Sequence, residues 1–121
     1  MALAGADDAP GAPMRDEALV LRGATKTHRV GPAEIRYLKA DHVYVEYHLA
    51  DGTVLHVRET LREATGRLDP TRFVRCHRSY AVNLAHVRAL GRSSVTLDGG
   101  AELPVSRSRR EALRAAAAPD H

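Results

Sequence analysis

One cysteine, Cys76, occurs in 121 residues. That excludes an internal disulfide and any metal knuckle built from several cysteines. A reducing cytoplasm is the expected setting. No apolar run approaches the ~18–20 residues that a membrane span requires. The opening segment, MALAGADDAPGAPMRDE, lacks the basic patch and apolar stretch of a signal peptide. No membrane partner is therefore expected. Lysine is scarce as well: Lys26 and Lys39 stand against 16 arginines. There is no HExxH pair, no GxSxG elbow, and no glycine-rich phosphate loop ahead of a helix. Cys76, His77 and Ser79 are neighbours, but a nucleophile needs a base in reach and a third group to orient that base. No enzymatic activity and no cofactor are expected.

Arginine is what the chain has in excess. Formal charge is +3 and the isoelectric point about 9.4. The charge is lopsided. Residues 1–71 carry 9 basic and 11 acidic side chains, whereas residues 72–121 carry 9 basic and 4 acidic. A compact basic half points to a polyanionic partner. The arginine fork suits phosphate oxygens and guanine edges. A GC-rich genome would also supply arginine and alanine in this proportion, so charge alone leaves the partner open.

Residues 1–17 are Ala, Gly, Pro and Asp without periodicity and read as a disordered tail. ALVLRG and TKTHRV read as short strands around Gly23, and Gly31-Pro32 as a turn. AEIRYLKA continues as a strand with Ile35 and Leu38 inward. HVYVEYHL is the clearest strand, with Val43, Val45, Tyr47 and Leu49 on one face and His42, Tyr44, Glu46 and His48 on the other. Asp51-Gly52 before VLHVR signals a hairpin. Thr60 and Glu63 have capping-box spacing ahead of a helix of about two turns, with Leu61, Ala64 and Leu68 on one stripe. FVRCHRSY, AVN, HVRAL, SVTLD and AELPVS are short and β-prone. Ser108 and Glu111 are read as a second capping box before EALRAAAA, and Pro119 closes that helix. The sum is a mainly β single domain.

Seven histidines raise the question of a metal, but none pair at i, i+4. His48 and His56 are placed to meet across the Asp51-Gly52 hairpin. A satisfied surface histidine is the simpler account, and no metal is expected. The arginine-bearing segments are the stronger lead. Arg75, His77 and Arg78 lie within Arg75–Tyr80. Arg107, Arg109 and Arg110 surround the expected Ser108 cap, where helix amides add partial positive charge. Arg78, Arg107 and Arg109 are expected outside regular helix. Arg110 and Arg114 can equally decorate a solvent face. A lone cysteine such as Cys76 is usually a buried small hydrophobe; the alternative is that the flanking Arg75 and His77 lower its pKa and make it oxidisable.

The run RFVRCHRSYAVNLAHVRAL resembles the hallmark of LytTR DNA-binding domains, roughly F-x-R-x-H-R-S-[YF]-x-V-N. Here that is Phe73, Arg75, His77, Arg78, Ser79, Tyr80, Val82 and Asn83. Upstream, IRYLKADHVYVEYHLADGTV resembles the family's I-x-Y-[IL]-x-A … D-G block. Downstream, LPVSRSRREAL resembles its [IL]-P-V-S-R ending. The resemblance covers residues 18–114 and leaves 115–121 as a C-terminal tail. It implies an elongated fold of packed antiparallel β-sheets with one short internal helix and a short C-terminal helix. It implies a transcription regulator whose loops enter successive major grooves of bent double-stranded DNA. By position, the first loop falls on Asp41, His42 and Val43. The second falls on Arg78 within His77-Arg78-Ser79. The third falls on Ser106, Arg107, Ser108 and Arg109.

On that reading Arg75, Arg107, Arg109 and Lys39 are expected at phosphates, Arg78 at a guanine, and His42 at a base edge or phosphate. Asn83 is expected to satisfy backbone groups in a turn, and Tyr80 and Phe73 to be core. The resemblance implies redox sensing at the position of Cys76 with a second cysteine, which this chain lacks, so no internal disulfide switch is expected. Family members usually carry a receiver domain or a membrane segment ahead of this unit. The present chain reads as a stand-alone regulator or a piece of a longer one. Paired DNA sites would suit a homodimer. The alternative is a metal- or redox-responsive β-rich interaction module.

Overall fold

The computed structural model describes residues 18–23 and 25–117. The tail expected at 1–17 and the chain beyond 117 lie outside them. Among the described residues, ten strands and two α-helices follow one another: β1 (Leu19–Arg22), β2 (Thr27–Val30), β3 (Ile35–Asp41), β4 (Tyr44–Leu49), β5 (Val54–Arg58), α1 (Leu61–Gly66), β6 (Phe73–His77), β7 (Tyr80–Asn83), β8 (Val87–Leu90), β9 (Ser94–Leu97), β10 (Glu102–Pro104) and α2 (Arg107–Ala117). They form a five-stranded sheet in the order β5-β4-β3-β7-β6, a three-stranded sheet in the order β10-β9-β8, and the β1-β2 hairpin. All pairings are antiparallel. The mainly β architecture is as the sequence predicts.

Alternation explains the central sheet. Val45, Tyr47 and Leu49 of β4 are buried while Glu46 and His48 face the other side. The Asp51-Gly52 hairpin forms as expected. Gly52 takes φ 93°, and Asp51 Oδ1 accepts from the Thr53 amide at 2.9 Å. Those bonds to Thr53 hold the Asp51 carboxyl below its ordinary range. The first helix is capped as its spacing predicts: Thr60 Oγ1 accepts from Glu63 N, and Glu63 Oε1 accepts from Thr60 N. Leu61, Ala64 and Leu68 are buried.

Two apolar clusters hold the layers together. One joins the β1-β2 hairpin and α1 to one face of the large sheet, around Leu21, Ile35, Leu38, Val45, Tyr47 and Ala81. The other joins the three-stranded sheet and α2 to the opposite face, around Cys76, Val82, Val95, Leu97 and Leu113. Each fully buried Leu or Ile contributes roughly 1.5–3 kcal/mol. Phe73 is core, while Tyr80 packs half-buried against the second cluster. Asn83 bridges connections as expected: Nδ2 donates to Ile35 O at 2.8 Å, and Oδ1 accepts from Ala85 N at 3.0 Å.

Three expectations are corrected. Val43 is not inward-facing: Asp41 pairs directly with Tyr44, so His42 and Val43 form a two-residue turn and Val43 is 51% exposed. The last helix spans Arg107–Ala117, so Arg107 and Arg109 lie within regular helix rather than outside it, together with Ser108 and Arg110, and Ser106 stands at its boundary. A Ser108–Glu111 capping box therefore does not form. The amide of Ser106 is tied to Cys76 O at 2.9 Å, and Leu113 is fully buried, which together set where the helix starts. His56 lies opposite Glu46 rather than His48. His48 stacks on Tyr37 and its Nε2 lies 2.9 Å from Glu46 Oε1.

Candidate nucleic-acid interface

The strand order brings the candidate segments to one end of the large sheet. β3 runs antiparallel to both β4 and β7, so the β3-β4 turn and the β6-β7 turn leave the same edge. The Ala40 amide donates to Ser79 O at 2.8 Å and ties the two turns together. Two strand spacings, about 10 Å, separate their centres. The Ser106 amide bonded to Cys76 O docks the start of α2 beside the end of β6. Asp41, His42, His77, Arg78, Ser79, Ser106, Arg107, Ser108 and Arg109 are thus drawn into one region. Lys39 sits just behind, on β3, opposite Glu46 on one side and Tyr80 on the other.

The second turn is built to display one side chain. His77 Nδ1 accepts from the Ser79 amide at 3.1 Å. Arg75 Nη2 donates to Arg78 O at 2.8 Å, and its Nε reaches His77 O at 3.5 Å. The turn's backbone is held from both sides, and Arg78 stands exposed at the tip. Arg75 is therefore engaged with backbone carbonyls, a role that its place in the sequence motif does not reveal. Burial lowers its pKa, and the like charge of Arg109 lowers it further.

Around α2, Arg107 and Ser108 are exposed and Arg109 is half-buried. Ser106 Oγ and Ser108 Oγ approach to 3.5 Å. Among the described residues no carboxylate pairs with Arg75, Arg78, Arg107 or Arg109. Elsewhere Arg67 pairs with Glu59 at 2.8 Å, and Arg36 approaches Asp98 at 3.6 Å. The cations at this end are left for an outside anion. Arg58, opposite Tyr44 at the end of β5, borders a groove of about 350 Å³ lined also by His42, Val43, Thr60 and the carboxylate-bearing Glu59 and Glu63. Sequence reasoning assigned Arg58 nothing, because only the β4-β5 register carries it to this end.

His42 has φ 57°, and Val43 beside it does not have a positive φ. This is the sign pattern of a type II′ turn, where glycine is the usual occupant of the first central position. Cys76 lies between the turn and the second core cluster and is fully buried. Burial pushes its thiol up to about 11, outweighing Arg109 and Arg75, which act in the opposite direction. Cys76 is thus the buried small hydrophobe expected of a lone cysteine, and the alternative of a lowered pKa fails because desolvation exceeds the charge effect. Among the described residues no group of three metal-ligating side chains is gathered around one point. No helix among them is long and apolar enough to cross a membrane.

Comparison with known proteins bears directly on this arrangement. The family model of the LytTr DNA-binding domain matches residues 25–118. The CO-responsive transcriptional regulator RcoM of Rhodospirillum rubrum is 39% identical over 94 residues, which are 73% of this chain and 39% of that protein. An uncharacterised response regulatory protein of Vibrio cholerae is 31% identical over 93 residues, 67% of this chain and 34% of that protein. The chain thus spans between a third and two fifths of the length of these relatives. A solved LytTr DNA-binding domain from a methyl-accepting/DNA response regulator of Bacillus cereus superposes with a TM-score of 0.72. It is 25% identical, and the match covers 83% of this chain and 95% of that one. The β3-β4 turn and the two arginine-bearing segments sit on a fold shared with a solved DNA-binding domain, and the chain belongs to the LytTr DNA-binding domain family.

Proposed function

We propose that this domain binds double-stranded DNA sequence-specifically for a transcription regulator, with its turns entering successive major grooves. One observation carries the reading furthest: the β3-β4 turn, the β6-β7 turn and the start of α2 meet at one sheet end, and Arg75, Arg78, Arg107 and Arg109 of the last two lack carboxylate partners among the described residues. Arg78, exposed on a braced turn, suits a bidentate contact to a guanine. Arg107, Arg109 and Lys39 suit phosphates, and the α2 amides with Ser106 and Ser108 add to that site. Asp41, His42, His77 and Ser79 shape the remaining contact surface, with His42 offered to a base edge or phosphate. Paired sites bound by two copies, and action in the cytoplasm, complete the proposal.

The test is selection of bound sequences from a random duplex pool, followed by titration of two variants at several salt concentrations. Arg78→Ala is expected to cost ~1–3 kcal/mol on the selected duplex and much less on mixed DNA. Arg107→Ala is expected to weaken binding on all duplexes and to flatten the salt slope by about one. Equal losses for Arg78→Ala on both DNAs would reduce Arg78 to a phosphate contact. A pool that yields no enriched sequence would end the claim of specificity.

A further inference from the structure

We propose that Val43 reads the 5-methyl group of a thymine at the site entered by the first turn, an inference that rests on the DNA-binding reading above. The structure turns this side chain outward, contrary to the alternation of the strand that follows. Val43 is 51% exposed, and it belongs to neither core cluster. Two-residue turns are usually filled by Gly, Asn or Asp, and a β-branched apolar side chain gains nothing for folding by standing in solvent there. Three other large apolar residues are exposed: Tyr44 follows Val43 at the start of β4, Val20 on β1 lines a groove with Arg58, and Val54 lies at the far end of β5. Val43 instead lies between exposed His42 and the start of β4, in the turn bonded through Ala40 and Ser79 to the turn that displays Arg78. Base edges in the major groove are polar except for the thymine methyl, so that methyl is the complement an exposed valine can recognise there.

Replacing thymine by deoxyuracil removes this methyl and leaves the base's hydrogen-bonding edge intact. On the selected duplex, single deoxyuracil replacements are expected to weaken the parent domain about fourfold at one thymine position per bound domain, the effect of one methyl group left in water. Val43→Ser and Val43→Asn, which present no methyl group, are expected to bind the unsubstituted duplex several-fold more weakly and to become indifferent to deoxyuracil at that position. Their thermal melts are expected to match the parent, because the side chain is exposed. A variant that responds to every deoxyuracil as the parent does would overturn the inference while leaving DNA binding intact. A parent domain that fails to prefer the selected duplex over mixed DNA would overturn the reading on which the inference rests.

Discussion

Arg75 and Arg78, three residues apart, divide one turn between them. Arg75 spends its guanidinium on the carbonyls of His77 and Arg78 and so fixes the loop from beneath, whereas Arg78 points outward. This changes what removal of Arg75 should do. A phosphate contact supplies affinity on any sequence and steepens the salt dependence. A residue that holds the turn instead governs how well Arg78 is aimed. Arg75→Ala is therefore expected to lower affinity for the selected duplex several-fold, leave the salt slope within experimental error, and narrow the preference over mixed DNA. A slope flattened by about one would return Arg75 to the phosphate set, where the sequence motif alone placed it. The motif gives residue types in order, but the bonds from Nη2 and Nε to the turn carbonyls are a property of the folded turn.

The β3-β4 turn, as an element, carries strain that its sequence does not announce. Asp41-His42-Val43-Tyr44 has no glycine, and the alternation of the following strand hides the reversal. The backbone turns because β3 and β4 both continue to pair up to Asp41 and Tyr44, which leaves His42 at φ 57°. A non-glycine residue held in such a region costs on the order of 1–3 kcal/mol. His42→Gly relieves that strain and loses about 0.5–1 kcal/mol in chain entropy. A net gain of about 1 kcal/mol in urea unfolding is expected, together with weaker binding to the selected duplex. Lower stability in the glycine variant would show that the turn is unstrained at this position. By contrast, α1 and the β4-β5 hairpin were legible from sequence because their signals act over two to four residues. Thr60 with Glu63, and Asp51 with Gly52 and Thr53, bond to their own neighbours.

Across the whole molecule, two clusters on opposite faces of one sheet make stability depend on buried groups that face away from solvent. Tyr47, within the first cluster, bonds to Glu59 and accepts from Arg67 at 2.8 Å, and burial raises its pKa well above the ordinary phenol value. Cys76, within the second, rises from 9.0 to about 11, burial being the largest cause. Both groups hold their protons more tightly folded than unfolded. Their contribution is thus fully present below the unfolded values and is lost as pH rises through the folded ones. The urea midpoint is expected to fall as pH increases from 9 toward 11, through the range over which Cys76 shifts. Cys76→Ala is expected to remove roughly 1–3 kcal/mol of that decline. An unchanged pH profile in this variant would mean that Cys76 is more hydrated than its burial implies. His86 joins the layers at another point, with Nδ1 2.8 Å from Asp98 Oδ2 and Nε2 2.9 Å from Ala33 O.

The sequence by itself determined the mainly β class, the family, most strand positions, the first helix cap, and the segments that carry arginine. Those follow from alternation, capping and motif order, all written in neighbouring residues. Tertiary structure alone decided that Val43 faces solvent, that α2 starts at Arg107, that the Cys76 thiol is held up by burial, and that Arg75 braces the turn. Each depends on contacts between distant segments, such as Ser106 N with Cys76 O and Ala40 N with Ser79 O. Chain neighbours do not encode those contacts, because they arise when antiparallel pairing and two apolar clusters bring remote residues together.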